Sequence, residues 1–200
     1  MKRSLLVFLV ACGGASEPAP PPTPAPVAPA APLQVWTTPA GWKSETIPFP
    51  LDFAPSLAHR GVEELRFAPG FFEPAQPGYW SYAFTWRTED PANLDAAALG
   101  GELTAYFQGL IAAVDEQRRI TARDEIVARA EPDGPGRFRL TAHVFDAFKT
   151  AAPLDLVGWA ERKACGGAAL WVFVLSPANS PLRGELDTLA RSAQCGQPIK

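Results

Sequence analysis

Two histidines stand near carboxylates in this 200-residue chain: His59 precedes Glu63 and Glu64, and His143 lies shortly before Asp146. A histidine held by a carboxylate can act as a general base in hydrolysis. It can also contribute to a metal site, but such a site needs three or four converging ligands, and the chain has only these two histidines. His59 and Glu63 would share a face of a helix, yet Gly61 between them favours a loop. His143 and Asp146 point to opposite faces of a regular strand. Both histidines are therefore expected to be solvated, with no metal and no cofactor. The chain has no G-x-S-x-G turn and no Ser-x-x-Lys pair, so the common serine nucleophiles have no framework. Gly166-Gly167 precedes an apolar strand pattern, not a helix, which is the wrong context for cradling phosphate. The paired carboxylates Glu63-Glu64 and Asp115-Glu116 diverge on either a helix or a strand and are expected on solvated faces.

The aromatic supply has more potential. Phe49, Phe53, Phe67, Phe71, Phe72, Tyr79 and Trp80 fall around Gly- and Pro-rich loops ahead of the main strand. Aromatics in such loops can line an apolar pocket or a partner patch. Phe71, Phe72, Tyr79 and Trp80 are the candidate binding residues.

The elements that must position them follow from periodicity. YWSYAFTW (79–86) alternates strictly, with Trp80, Tyr82, Phe84 and Trp86 on one face, and reads as a strand whose aromatic face is core. From Leu94 to Arg118, Leu99, Leu103, Phe107, Leu110 and Val114 form one helical stripe, with start signals at Asp90-Pro91 and Asn93. A charged, weakly patterned strand spans 120–130. The segment Glu131 to Gly136 is a hairpin turn, and 137–148 is a strand with Phe138, Leu140, Ala142 and Val144 inward. Another strand is expected at 154–164. AALWVFVL (168–175) is apolar throughout, so it is expected at the sheet centre, covered on both faces. Pro181 to Ala193 reads as a helix with Leu182, Leu186 and Leu189 on its stripe. Helices on a mostly antiparallel sheet make an α+β fold.

The amino terminus points elsewhere. Lys2 and Arg3 precede an apolar run from Leu5 to Ala11 that is too short to span a bilayer, and Leu9-Val10-Ala11-Cys12 closes it. This resembles the signal peptide and lipobox of bacterial lipoproteins. The resemblance implies that residues 1–11 are removed, that Cys12 is acylated, and that the protein is lipid-anchored in the cell envelope. In a host with two membranes, Gly13 after the cysteine favours the outer membrane, facing the periplasm. Residues 12–32 then hold the lipidated cysteine and a Pro/Ala-rich tether, with eight prolines in EPAPPPTPAPVAPAAP. Such composition favours extended polyproline II, and sixteen residues reach roughly 50 Å. Residues 33–200 form the single globular domain.

With Cys12 taken by lipid, Cys165 and Cys195 are an even pair in an oxidising compartment and are expected to form a disulfide. A strand of eight residues rises about 27 Å and a helix of thirteen about 20 Å, so the last helix can fold back to close it. Loss of Lys2 and Arg3 with the signal deepens the net charge from −3 to −5, which argues against nucleic acid as a partner.

The element order across 33–200 resembles the PsbP/Mog1-like fold, in which a helix after the early strands and a C-terminal helix cover the sheet. The runs FPLDFAP (49–55), GVEELRFAPGFF (61–72) and YWSYAFTW are similar to uncharacterised exported bacterial proteins. Neither likeness carries a catalytic residue. The leading expectation is a membrane-tethered, non-enzymatic interaction or assembly module with an envelope protein partner. A small-ligand-binding domain using the aromatic loops comes second, and a hydrolase at His59 or His143 third.

Overall fold

The computed structural model describes residues 35–89 and 93–196. The lipobox, the tether and the Asp90-Pro91 signal lie outside them. The fold is α+β: seven antiparallel strands in the order β1-β2-β3-β7-β6-β5-β4, with two helices. The strands are β1 (Lys43–Phe49), β2 (Gly61–Phe67), β3 (Tyr82–Thr88), β4 (Val127–Pro132), β5 (Arg137–Phe145), β6 (Pro153–Cys165) and β7 (Ala168–Ser176). The helices are α1 (Ala96–Val114) and α2 (Arg183–Arg191), and a 3-10 turn at Arg123–Glu125 precedes β4.

As expected, β7 lies at the centre and is covered on both faces. Its Trp171, Phe173 and Leu175 join one core with Leu99, Leu103, Tyr106, Phe107 and Ile111 of α1. Its Leu170, Val172 and Val174 join a second with Leu186, Leu189 and Ala190 of α2. Because side chains alternate along a strand, the helices occupy opposite faces. The aromatic face of β3 is buried under α1, with Phe84 stacked on Phe173 at 4.4 Å and on Tyr106 at 5.7 Å. Gly109 lets α1 come close, since a Cβ there would stand 2.0 Å from the carbonyl oxygen of Phe53.

Several boundaries differ from the pattern reading. The cap of α1 is Asp95, whose side chain accepts from the Ala98 N–H at 2.8 Å, two residues after Asn93, the nearer of the expected start signals. Its buried stripe runs through Tyr106 and Ile111, leaving Leu110 and Val114 half-buried. Strand β3 begins at Tyr82, because Trp80 takes a left-handed backbone (φ 47°) and belongs to the preceding loop. The β1–β2 hairpin is an addition: Phe49 and Phe67 lie on strands, not loops. Asp115 is buried, not solvated. It accepts from the Arg119 and Ile120 N–H groups at 3.0 and 2.9 Å, turning the chain after α1. The Ile120 hydrogen bond leads in holding its carboxyl below the usual range.

Cys165 and Cys195 form the disulfide, with Cα atoms 5.4 Å apart. It joins the end of β6 to the segment after α2. Closing a loop of this length stabilises by about 3.5 kcal/mol in the chain-entropy model. Cys165→Ser is expected to lose that much under oxidising conditions. Equal melting temperatures with and without reductant would remove the expectation.

Candidate functional site

The register of the first three strands builds the floor of a cavity on the α1 side. Ile47 pairs with Glu63 and Glu63 with Trp86; Glu45 pairs with Leu65 and Leu65 with Phe84; Phe67 pairs with Tyr82. Above this floor stand Tyr106, Leu110, Ala113 and Val114 of α1, and Phe53. The wall is the loop from Pro69 to Trp80. It is a chain of turns: Phe71 N–H donates to Ala68 O, Glu73 N–H to Gly70 O, Gln76 N–H to Glu73 O, and Trp80 N–H back to Phe71 O. Gly78 is required where the loop closes on itself, as a Cβ would lie 2.0 Å from the oxygen of Pro69.

Trp80 holds its left-handed backbone, a conformation disfavoured by about 1 kcal/mol for a side chain of this kind, through its indole N–H, which donates to Asp146 at 3.3 Å. Asp146 is buried and also accepts from the backbone N–H groups of Phe148, Lys149 and Thr150 and from the Thr150 hydroxyl. Burial works to raise its pKa, but the hydrogen bonds, led by Thr150's, outweigh it and hold the carboxyl below its usual range. This knot seats Phe148 against Phe72 (5.0 Å) and Trp80 (5.6 Å), walling one side of the cavity.

The cavity volume is about 350 Å³, within the range of small-molecule sites. Of the four candidate binding residues, Phe71, Phe72 and Trp80 line it, whereas Tyr79 faces a separate shallow hollow beside Leu154 and Pro177. Burial pushes the Tyr79 hydroxyl up to about 12. Phe71 and Trp80 are buried and Phe72 half-buried.

Glu63 lies under this floor, fully buried and not solvated as its sequence position suggests. Its Oε1 accepts from the Trp86 indole at 3.0 Å, and its Oε2 has no partner. Desolvation raises its pKa to about 8, against the lowering influence of Trp86 and Tyr106. Tyr82 and Tyr106 are its neighbours, and burial pushes both phenols well above their ordinary value. The Tyr82 hydroxyl is also buried without a partner. An aromatic cavity of this size can bind an apolar molecule.

Glu64 is equally buried, on the opposite face. It pairs with Arg66 at 2.9 Å and accepts from the Val35 N–H at 3.2 Å, while Arg66 donates to Trp36 O at 3.1 Å. Gln194 N–H donates to Val35 O at 3.0 Å. The first described residues are thus clamped to the α2 face.

Of the histidines, His59 is not solvated and His143 is partly so. His59 is buried, 2.8 Å from Glu102 of α1 and edge-on to Phe49. His143 is half-buried and meets Asp155 across the β5–β6 ladder at 2.7 Å, while Asp146 turns elsewhere. Neither lines the aromatic cavity. Among the described residues, no three His, Cys, Asp or Glu side chains gather as a metal site would need. No protein-family model matches this chain, and neither a curated protein nor a solved structure matches it.

Proposed function

We propose that this chain is an exported, lipid-anchored protein whose domain binds a small apolar molecule without transforming it. The observation that carries the binding is the 350 Å³ cavity, whose aromatic lining includes Phe53, Phe67, Phe71, Phe72, Trp80 and Tyr82. This raises the ligand-binding reading above the general interaction module. The signal and lipobox motif ending at Cys12 supports the anchor, and with Gly13 the outer membrane facing the periplasm. Val35 and Trp36 pack on the α2 face, the face opposite the cavity. The order of elements supports a PsbP/Mog1-like arrangement as the finer description of the fold.

The full chain with Cys12→Ser, which removes the acylation point, is expected to bind N-phenyl-1-naphthylamine, an uncharged fluorescent probe, with blue-shifted emission. Ala113→Trp places an indole in the cavity and should abolish that signal without lowering the melting temperature. Binding that survives the substitution would sink the cavity as the site. A second reading, docking of an envelope protein partner, is favoured by β1, an edge strand whose residues Lys43 to Thr46 are exposed. A chain that bound no apolar probe would leave that reading standing.

A further inference from the structure

Resting on the ligand-binding reading, the accessible part of the cavity narrows the ligand. Its innermost rings, Phe71, Trp80, Tyr82 and Tyr106, are buried. A guest first meets a collar of half-buried rings, Phe53, Phe67, Phe72 and Phe148, with exposed Glu45 beside them. A residue both exposed and part of the lining stands at the mouth. Glu45 pairs with Leu65 of the floor and lies two residues from Ile47, so it shares their face of the sheet. Burial leads in raising the pKa of Glu63 and Tyr106, and the charge of Glu45 adds to it in both. That charge acts on the cavity and not on solvent alone.

Among the described residues, Glu45 is the only charged one in the lining. An anionic head would find an acid there and no countercharge, which low-polarity surroundings make costly. A cation finds the reverse, because ring faces are negative and attract positive charge. Phe72 already does so: Lys43 Nζ stands 5.3 Å from its centroid, outside the lining. Lys149, next to Phe148, is paired with Glu73 at 3.1 Å. A quaternary ammonium fits best of the cations, since it has no N–H group to satisfy and asks only for rings and one negative charge. The volume is about twice that of a cavity that holds benzene, near 150 Å³, which leaves room for a ring with such a head.

We propose that the cavity takes an organic cation, a quaternary ammonium on an apolar body, with the body among the inner rings and the head between the phenylalanine collar and Glu45. Displacement of N-phenyl-1-naphthylamine from the full Cys12→Ser chain tests this. The competitors are phenyltrimethylammonium, tert-butylbenzene, which has the same shape without the charge, and benzoate. The ammonium should compete at least as well as the hydrocarbon, and benzoate worst. Glu45→Gln alters an exposed side chain. It should weaken the ammonium about three- to fivefold, the scale of a solvent-exposed ion pair, and leave tert-butylbenzene unchanged. Lys43→Met removes a competing cation from Phe72 and should tighten the ammonium but not the hydrocarbon.

A hydrocarbon that displaces the probe where the ammonium does not, or an ammonium indifferent to Glu45→Gln, would overturn the cation proposal while leaving the cavity as a site. Strongest competition by benzoate would overturn it in favour of an anionic ligand. If the probe itself does not bind, the ligand-binding reading falls and the cation with it.

Discussion

Arg66→Ala will lose about 3–5 kcal/mol of unfolding free energy, the usual result of breaking a buried ion pair by removing one member. Arg66 and Glu64 are each only 3 % exposed at the side chain. The guanidinium serves four groups at once: the Glu64 carboxylate, the carbonyls of Leu65 and Trp36, and the Trp36 ring at 5.4 Å. Without it Glu64 keeps only the Val35 N–H, and the Val35–Trp36 segment loses two of its fastenings. The pair itself contributes less than the single variant suggests, because desolvating both charges offsets much of their attraction. Glu64→Leu with Arg66→Met should therefore recover part of the loss, though Val35 N–H and Trp36 O stay without those partners. Urea unfolding at neutral pH distinguishes the cases. An Arg66→Ala chain within 1 kcal/mol of wild type would show that the pair is open to solvent.

The second large effect is a pH dependence centred on Glu63. Its pKa is about 8 in the folded chain against 4.5 for the ordinary group, with desolvation as the main cause. The folded state holds this proton more tightly than the unfolded state does. Stability from Glu63 is thus fully present below pH 4.5, declines as pH rises, and is gone above about 8. At 1.36 kcal/mol for each unit of pKa, the decline amounts to about 4–5 kcal/mol. Glu63→Gln keeps the shape and cannot ionise. Relative to the variant, wild type should lose that amount between pH 4.5 and 8, with groups common to both cancelling. Unfolding curves for the two chains that run parallel across the range would mean that water reaches Glu63.

Much of this architecture is legible in the sequence where one physical signal dominates. Strand β7 is apolar at every position from Ala168 to Leu175, and only a strand covered on both faces has use for that. The aromatic alternation of β3 and the leucine stripe of α2 are equally plain, and the similar lengths of β7 and the last helix anticipate the disulfide. Strands β1 and β2 are opaque for the opposite reason. KSETIPF is an edge strand, largely exposed, and polar enough to read as loop. GVEELRF carries charge on both of its alternating faces, which hides the period.

Glu63 and Glu64 part company with the pattern. Their divergence on a strand is correctly inferred, but solvation does not follow from it. In a strand covered on both sides, diverging carboxylates enter two different interiors, one paired with Arg66 and one with no cation. That Phe71, Phe72 and Trp80 line an apolar cavity is legible from their Gly- and Pro-rich setting. Tyr79 is not separable from them, because only the left-handed turn at Trp80 decides which ring faces the cavity.

The strand order has a consequence for how the chain is made. Strands β1-β2-β3 form one meander and β4-β5-β6-β7 another, and a single ladder, β3 with β7, joins them. Every other ladder links neighbours in sequence and can zip from its own turn. The joining ladder must wait for almost the entire remainder of the chain, and such distant pairings are the slow ones. During synthesis from the amino terminus, the edge of β3, carrying Tyr82, Phe84 and Trp86, is complete by Thr88 and stays bare until Ser176 is added. A bare aromatic strand edge is a template for mispairing, so this protein is most exposed to its neighbours just before its last strand is made.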